Sequence, residues 1–168
     1  MEERINKIEK ELKEHEKRII EMEKFISEQR KLKVSTDDVV HDTAKLAEKM
    51  GISSDKLKEI FDTEQDRLTL LKFVGVKDED KTQNITLLTL LGYRYFFNTD
   101  EVSSQEIRRN VAENRVPLHN FATHLNGLVP TLIRRKGESK SPKTTYRLMI
   151  PGEVKARDLL KNILENSK

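Results

Sequence analysis

Between Arg134 and Arg147 the chain places six cations, Arg134, Arg135, Lys136, Lys140, Lys143 and Arg147, against one acid, Glu138. Just upstream, His119, Asn120, Thr123, His124 and Asn126 gather hydrogen-bonding side chains within one short stretch. Such groups are suited to non-covalent recognition. Closely spaced cations neutralise a polyanion and release its counterions, and neutral donors and acceptors read its polar edges. Bond-making chemistry has no comparable basis. The sequence shows no Gly-rich phosphate loop, no Ser/His/Asp order and no close acid pair in an apolar setting. His119 and His124 are five residues apart and so do not share a helix face, while His15 and His41 have no nearby ligand set. No enzymatic activity, no metal and no cofactor are therefore expected.

These residues need elements to present them. Glu101-Val102 reads as a short strand or turn leading to Ser103, which can cap a helix with Glu106 as its third residue, a capping box. That helix turns Ile107 and Val111 inward. Asn114-Arg115-Val116-Pro117 is a turn, with Pro117 suited to the first turn of the next helix. The spacing of Leu118, Phe121, Leu125 and Leu128 predicts that helix over 118–128, its other face showing His119, Asn120, Thr123, His124 and Asn126. TLIRRKG and TTYRLMI flank ESKSPK as a long hairpin, and Val154–Leu164 forms a closing amphipathic helix.

The 168 residues hold 36% charged and 35% hydrophobic side chains, a thin supply for one large core and better suited to an elongated helical protein. There is no cysteine, which excludes disulfides and thiolate sites. The apolar runs are too short to span a bilayer and no signal peptide is visible, so a soluble, cytoplasmic protein is expected, with no membrane partner. The net charge of +3 is unevenly shared. Residues 1–80 carry 17 Lys+Arg and 21 Asp+Glu, and residues 81–168 carry 15 and 8. Only the second half suits a polyanion.

Residues 1–33 read as a coiled-coil helix. Ile5, Ile8, Leu12, Ile19, Met22 and Ile26 form a heptad seam, with His15 at one position. Arg4–Glu9 and Arg18–Glu23 would attract across parallel strands and Glu11–Glu16 would repel, which leans toward a parallel homodimer; packing of the stripe on its own chain is the alternative. Residues 35–75 read as a small helical domain. One helix ends at Gly51, another opens at Ser53 and runs through Leu57, Ile60 and Phe61, and Leu68, Leu70, Leu71, Phe73 and Val74 close an apolar cluster. Residues 76–81 read as a linker, and residues 82–168 as a second domain whose first helix covers Asn84–Phe97. Tyr93, Tyr95, Phe96 and Phe97 are core residues of that helix.

The run TAKLAEKMGISSDKLKEI resembles a helix-turn-helix, with Ala47 four residues before Gly51. Its exposed second-helix residues, Ser54, Asp55, Lys56, Lys58, Glu59 and Asp62, are mixed to acidic, so the unit reads as a scaffold or docking pair. The order and spacing of elements over residues 82–166 resembles winged helix-turn-helix proteins, especially small prokaryotic DNA-binding ones with an N-terminal coiled coil. The resemblance implies a mainly α fold with a C-terminal winged helix-turn-helix, a recognition helix at 118–128 entering the major groove and a β-hairpin wing at 134–147 on the backbone or in the minor groove. In those roles Asn120 and Asn126 would pair with adenine edges, Thr123 would touch a thymine methyl or a phosphate, and His119 and His124 would donate to either. Ser104 and Gln105 would meet phosphate at the start of the preceding helix. The function implied is a homodimeric DNA-binding protein, a transcriptional regulator or a mobile-element-associated DNA binder. The rival expectation is an assembly adaptor that binds proteins through the coiled coil and a winged-helix surface.

Overall fold

The computed structural model describes residues 44–64, 67–138, 141 and 143–166. They fall in one compact unit. The expected coiled coil and its seam residues Ile5, Ile8, Leu12, Ile19, Met22 and Ile26 lie outside the described residues, as does Lys140. The described part is mainly helical with two small antiparallel sheets and a C-terminal helix, an arrangement compatible with a winged fold.

Helix α1, described over 44–50, buries Leu46, Ala47 and Met50. Gly51 ends it at φ +66°, a left-handed conformation that glycine adopts without Cβ strain, and Ile52 N–H returns to Ala47 O at 3.0 Å. Helix α2 (Ser54–Lys58) buries Leu57 and then stops. Contrary to the expected small helical domain, strands β1 (Phe61–Glu64) and β2 (Arg67–Leu70) form an antiparallel hairpin with Phe61 opposite Leu70. Asp62 is thus a strand residue and not part of a helix face. The physical cause is a two-residue apolar period: Leu68 and Leu70 are buried and Thr69 between them is not, which suits one face of a strand.

Helix α3 (Asp78–Phe96) is the centre of the unit, packed by β2, β5 and the three helices that come after it in sequence. It begins six residues before the expected Asn84, inside the stretch expected to be a linker. Asp78, Glu79 and Asp80 sit in its first turn, where acids complement the helix dipole, and Asp80 Oδ2 accepts from Lys77 N–H at 3.4 Å. Residues 85–93 are buried without interruption, so no face of the middle of this helix meets water. Gly92 lets β2 approach: a Cβ there would lie 2.4 Å from Leu68 Cδ2.

Strand β3 (Val102–Ser103) leads into α4 (Ser104–Glu113), where Ser103 Oγ caps Glu106 N–H at 3.1 Å. The Glu106 carboxylate turns to Tyr93 and Arg109. Together with burial, that bond holds the Tyr93 hydroxyl's pKa up at about 12. Helix α5 covers only Phe121–Asn126, shorter than the expected 118–128. Its flanks are single turns closed by i→i−3 bonds, Phe121 N–H to Leu118 O and Leu128 N–H to Leu125 O. Strands β4 (Ile133–Lys136) and β5 (Thr145–Leu148) form the expected hairpin, and β3 adds to its far side in the order β3–β5–β4. Helix α6 (Ile150–Glu165) starts four residues before the expected Val154, with Pro151 in its first turn.

Two polar devices tie the first half to the second. Asn110 is fully buried. Its Oδ1 accepts from Leu70 N–H at 2.9 Å and its Nδ2 donates to Leu68 O at 3.1 Å, so its amide pairs with the β2 edge as another strand would. Asn114 Nδ2 and Arg109 extend this contact to Leu70 O and Leu68 O at 3.0 Å each. Asn110→Ala should cost about 1–3 kcal/mol for each buried backbone group it orphans. Denaturant melts measure that loss, and a loss near zero would show that water replaces the amide.

The second device is Glu153, which accepts from Arg94 at 2.7 Å, from the Tyr95 hydroxyl at 2.8 Å and from Arg157. Lys49 of α1 stands 3.6 Å away. Burial acts to raise the Glu153 pKa, but the bonds from Arg157 and Tyr95 and the charges of Arg157 and Arg94 outweigh it and hold it at about 2. A carboxyl held below its ordinary 4.5 contributes stability above that pH and loses it as pH falls toward 2. Melting temperatures should therefore fall over that window, and Glu153→Gln should flatten this part of the profile. Parallel profiles for the two proteins would rule Glu153 out as the cause.

Candidate nucleic-acid interface

The polar residues of the 119–126 stretch do not all face the same way. Phe121, His124, Leu125 and Leu128 share the buried side of α5 and the turn after it at helical spacing. His124 therefore does not join the exposed set. Its Nδ1 lies 3.3 Å from Thr82 Oγ1, and its carbonyl accepts from Gln83 Nε2 at 3.1 Å. The reason is its position three residues after Phe121, the step that returns a side chain to the same face. Asn120 and Thr123 do not join it in the core: Asn120 is exposed, at the N-cap position without a side-chain cap bond, and Thr123 is exposed as well. Asn126 is exposed, but its Oδ1 accepts from Arg135 at 3.1 Å, so only its amide NH₂ remains open.

The hairpin sorts its cations by strand alternation. Ile133, Arg135, Tyr146 and Leu148 point to the α5 side, with Arg135 directly across from Tyr146. Arg134, Lys136, Thr145 and Arg147 form the outer face, where Arg134 is opposite Arg147 and Lys136 is opposite Thr145. Glu101, just before β3, completes this face. Its carboxylate accepts from Lys136 Nζ at 3.1 Å on both oxygens and from Thr145 Oγ1 at 3.2 Å. The Lys136 bond, opposed by a little desolvation and joined by the Lys136, Thr145 and Arg147 interactions, holds the Glu101 carboxyl below its ordinary range. A depression of about 340 Å³ lies here, lined by Glu101, Arg134, Arg135, Lys136, Thr145, Tyr146 and Arg147. Lys143 is exposed on the loop.

A second cleft, of about 530 Å³, runs between α4, α5 and the hairpin loop. Ser104, Gln105 and His119 line it, together with Leu118, Phe121, Ala122, Ser141 and Tyr146. So does Arg108, a residue that the sequence patterns did not single out. Arg108 is exposed, with its guanidinium 5.7 Å from the Phe121 ring centre, and among the described residues it has no acidic partner. Its signal in the sequence is spacing: Ser104 and Arg108 are four residues apart and so share a helix face. Glu101 has no such local signal, because its partners lie 35 and 44 residues away.

Among the described residues no three His, Asp or Glu side chains come together as a metal site. Nor is any described helix long and apolar enough to cross a membrane. No known family model, curated protein or solved structure matches this chain.

Proposed function

We propose that this protein is a winged helix-turn-helix DNA-binding protein that acts as a transcriptional regulator, with α5 presented to the major groove and the β4–β5 hairpin laid along the backbone. The observation that carries the reading is the placement of Arg108, Arg134 and Arg147. All three are exposed and none makes a hydrogen bond or a close ion pair among the described residues; Arg108 lines the cleft beside α5, and Arg134 and Arg147 stand on the outer face of the hairpin. Cations that no side-chain hydrogen bond ties down can turn to phosphate. His119, Asn120 and Thr123 supply the neutral contacts, and Ser104 and Gln105 stand beside Arg108 in the same cleft. The heptad seam of residues 1–33 supports pairing of two copies, and a single-chain mass in solution would remove that part of the reading.

The test is a titration of duplex DNA over a salt series. Affinity should fall steeply as salt rises, by about 0.9 in log K per log salt for each phosphate neutralised. One observation favours the adaptor reading instead: Met149, Ile150 and Val154 leave an exposed apolar group at the start of α6, with Ile150 82% exposed. Absence of DNA binding at low salt would favour that reading and overturn the first.

A further inference from the structure

The outer hairpin face carries its own anion. Arg134 and Arg147 stand directly opposite each other on neighbouring strands, a like-charge pairing that is unfavourable without a counter-charge. Lys136 lies on the same face, so three cations surround one exposed carboxylate. Glu101 places both oxygens on Lys136 and one on the Thr145 hydroxyl. An ammonium and a hydroxyl are also what a phosphate oxygen would take here. Glu101 is the one acid among the residues lining this depression.

Resting on the DNA-binding reading, we infer that Glu101 is a built-in competitor for phosphate: it occupies the anion position on the hairpin's outer face and must be displaced before a backbone phosphate of the duplex can bind there. Affinity is thereby held below what the cations alone would give. Lys136 is silent until Glu101 leaves, whereas Arg134 and Arg147 are available from the start.

Glu101→Gln removes the charge and keeps an acceptor for Thr145. The pair it breaks is exposed, so folding should change only slightly, which a melting temperature checks. Asp158→Asn changes the net charge equally at an exposed position of α6 that does not line this depression, and serves as the control. Glu101→Gln should tighten duplex binding about three- to tenfold and steepen the salt slope by about 0.9, the contribution of one additional phosphate. Lys136→Ala should cancel the gain in Glu101→Gln. If Glu101→Gln binds DNA no better than Asp158→Asn, the competitor role is overturned while the DNA-binding reading stands. A second arm titrates inorganic pyrophosphate. If neither protein binds DNA but Glu101→Gln takes pyrophosphate more tightly than wild type, the DNA-binding reading falls and the Glu101 anion position stands. No DNA binding and equal pyrophosphate affinities overturn both.

Discussion

Replacing Arg108, Arg134 and Arg147 together by alanine should reduce duplex-DNA affinity about a hundredfold or more at low salt. Charge-assisted hydrogen bonds are worth at least about 1 kcal/mol each, and about 1.4 kcal/mol is tenfold. The salt slope should flatten by about 2.7, for three phosphates at about 0.9 each. The loss should be the same for all sequences, because phosphate contacts carry no base information. Stability should hardly move. Arg134 and Arg147 are exposed and face each other, so removing both also relieves a like-charge pair. Arg108 loses only an exposed contact with the Phe121 ring. The contrast is with Arg94 and Arg109, whose guanidiniums hold acids and backbone carbonyls inside the fold. Alanine at either of those should lower the melting temperature and so gives no clean reading of DNA binding. Isothermal titration across salt concentrations separates the cases. A triple variant with wild-type affinity and slope would show that these cations face solvent only, and the proposed function would lose its main support.

Gly152→Ala should destabilise the protein by about 3 kcal/mol, the upper end of what overpacking costs. A Cβ built at Gly152 would lie 2.0 Å from the Leu132 carbonyl oxygen and 2.9 Å from its carbon. That oxygen already accepts from Met149 N–H at 3.0 Å, so it is held in place by the bond that seats α6 beside the start of β4. The obstacle is backbone and cannot rotate away as a side chain would. Either α6 lifts off the sheet or the Leu132 peptide moves and loses its bond. At roughly 2–4 °C per kcal/mol the melting temperature should fall by about 6–12 °C. Gly127→Ala is an informative comparison, because the nearest atom to a Cβ there is Gln83 Nε2 at 2.8 Å, the end of a flexible side chain. It should cost much less. Equal costs at the two positions would mean that α6 is free to shift, and the crowding at Leu132 would not be the restraint described.

Local pattern alone determined much of the C-terminal half. Ser103 three residues before Glu106 marks a helix start, because the cap bond spans only that turn. Gly51 marks a helix end because a positive φ is open to it. Alternation along β4 sends Arg134 and Arg135 to opposite faces whatever the rest of the chain does. Tertiary structure decided which of those side chains remain free. Lys136 looks like any loop-flanking cation until Glu101, 35 residues earlier, meets it across the sheet. Asn126 looks open to a base edge until Arg135 takes its carbonyl oxygen. His124 joins the core because α3 packs against α5 and brings Thr82 to it from 42 residues away. The β1–β2 hairpin likewise depends on Asn110, 40 residues on, to satisfy the edge of β2. Periodicity and caps act within a turn or two of backbone, so they are written in neighbouring residues. Charge pairing and burial depend on which distant surfaces meet, and that is settled only when α3 is enclosed.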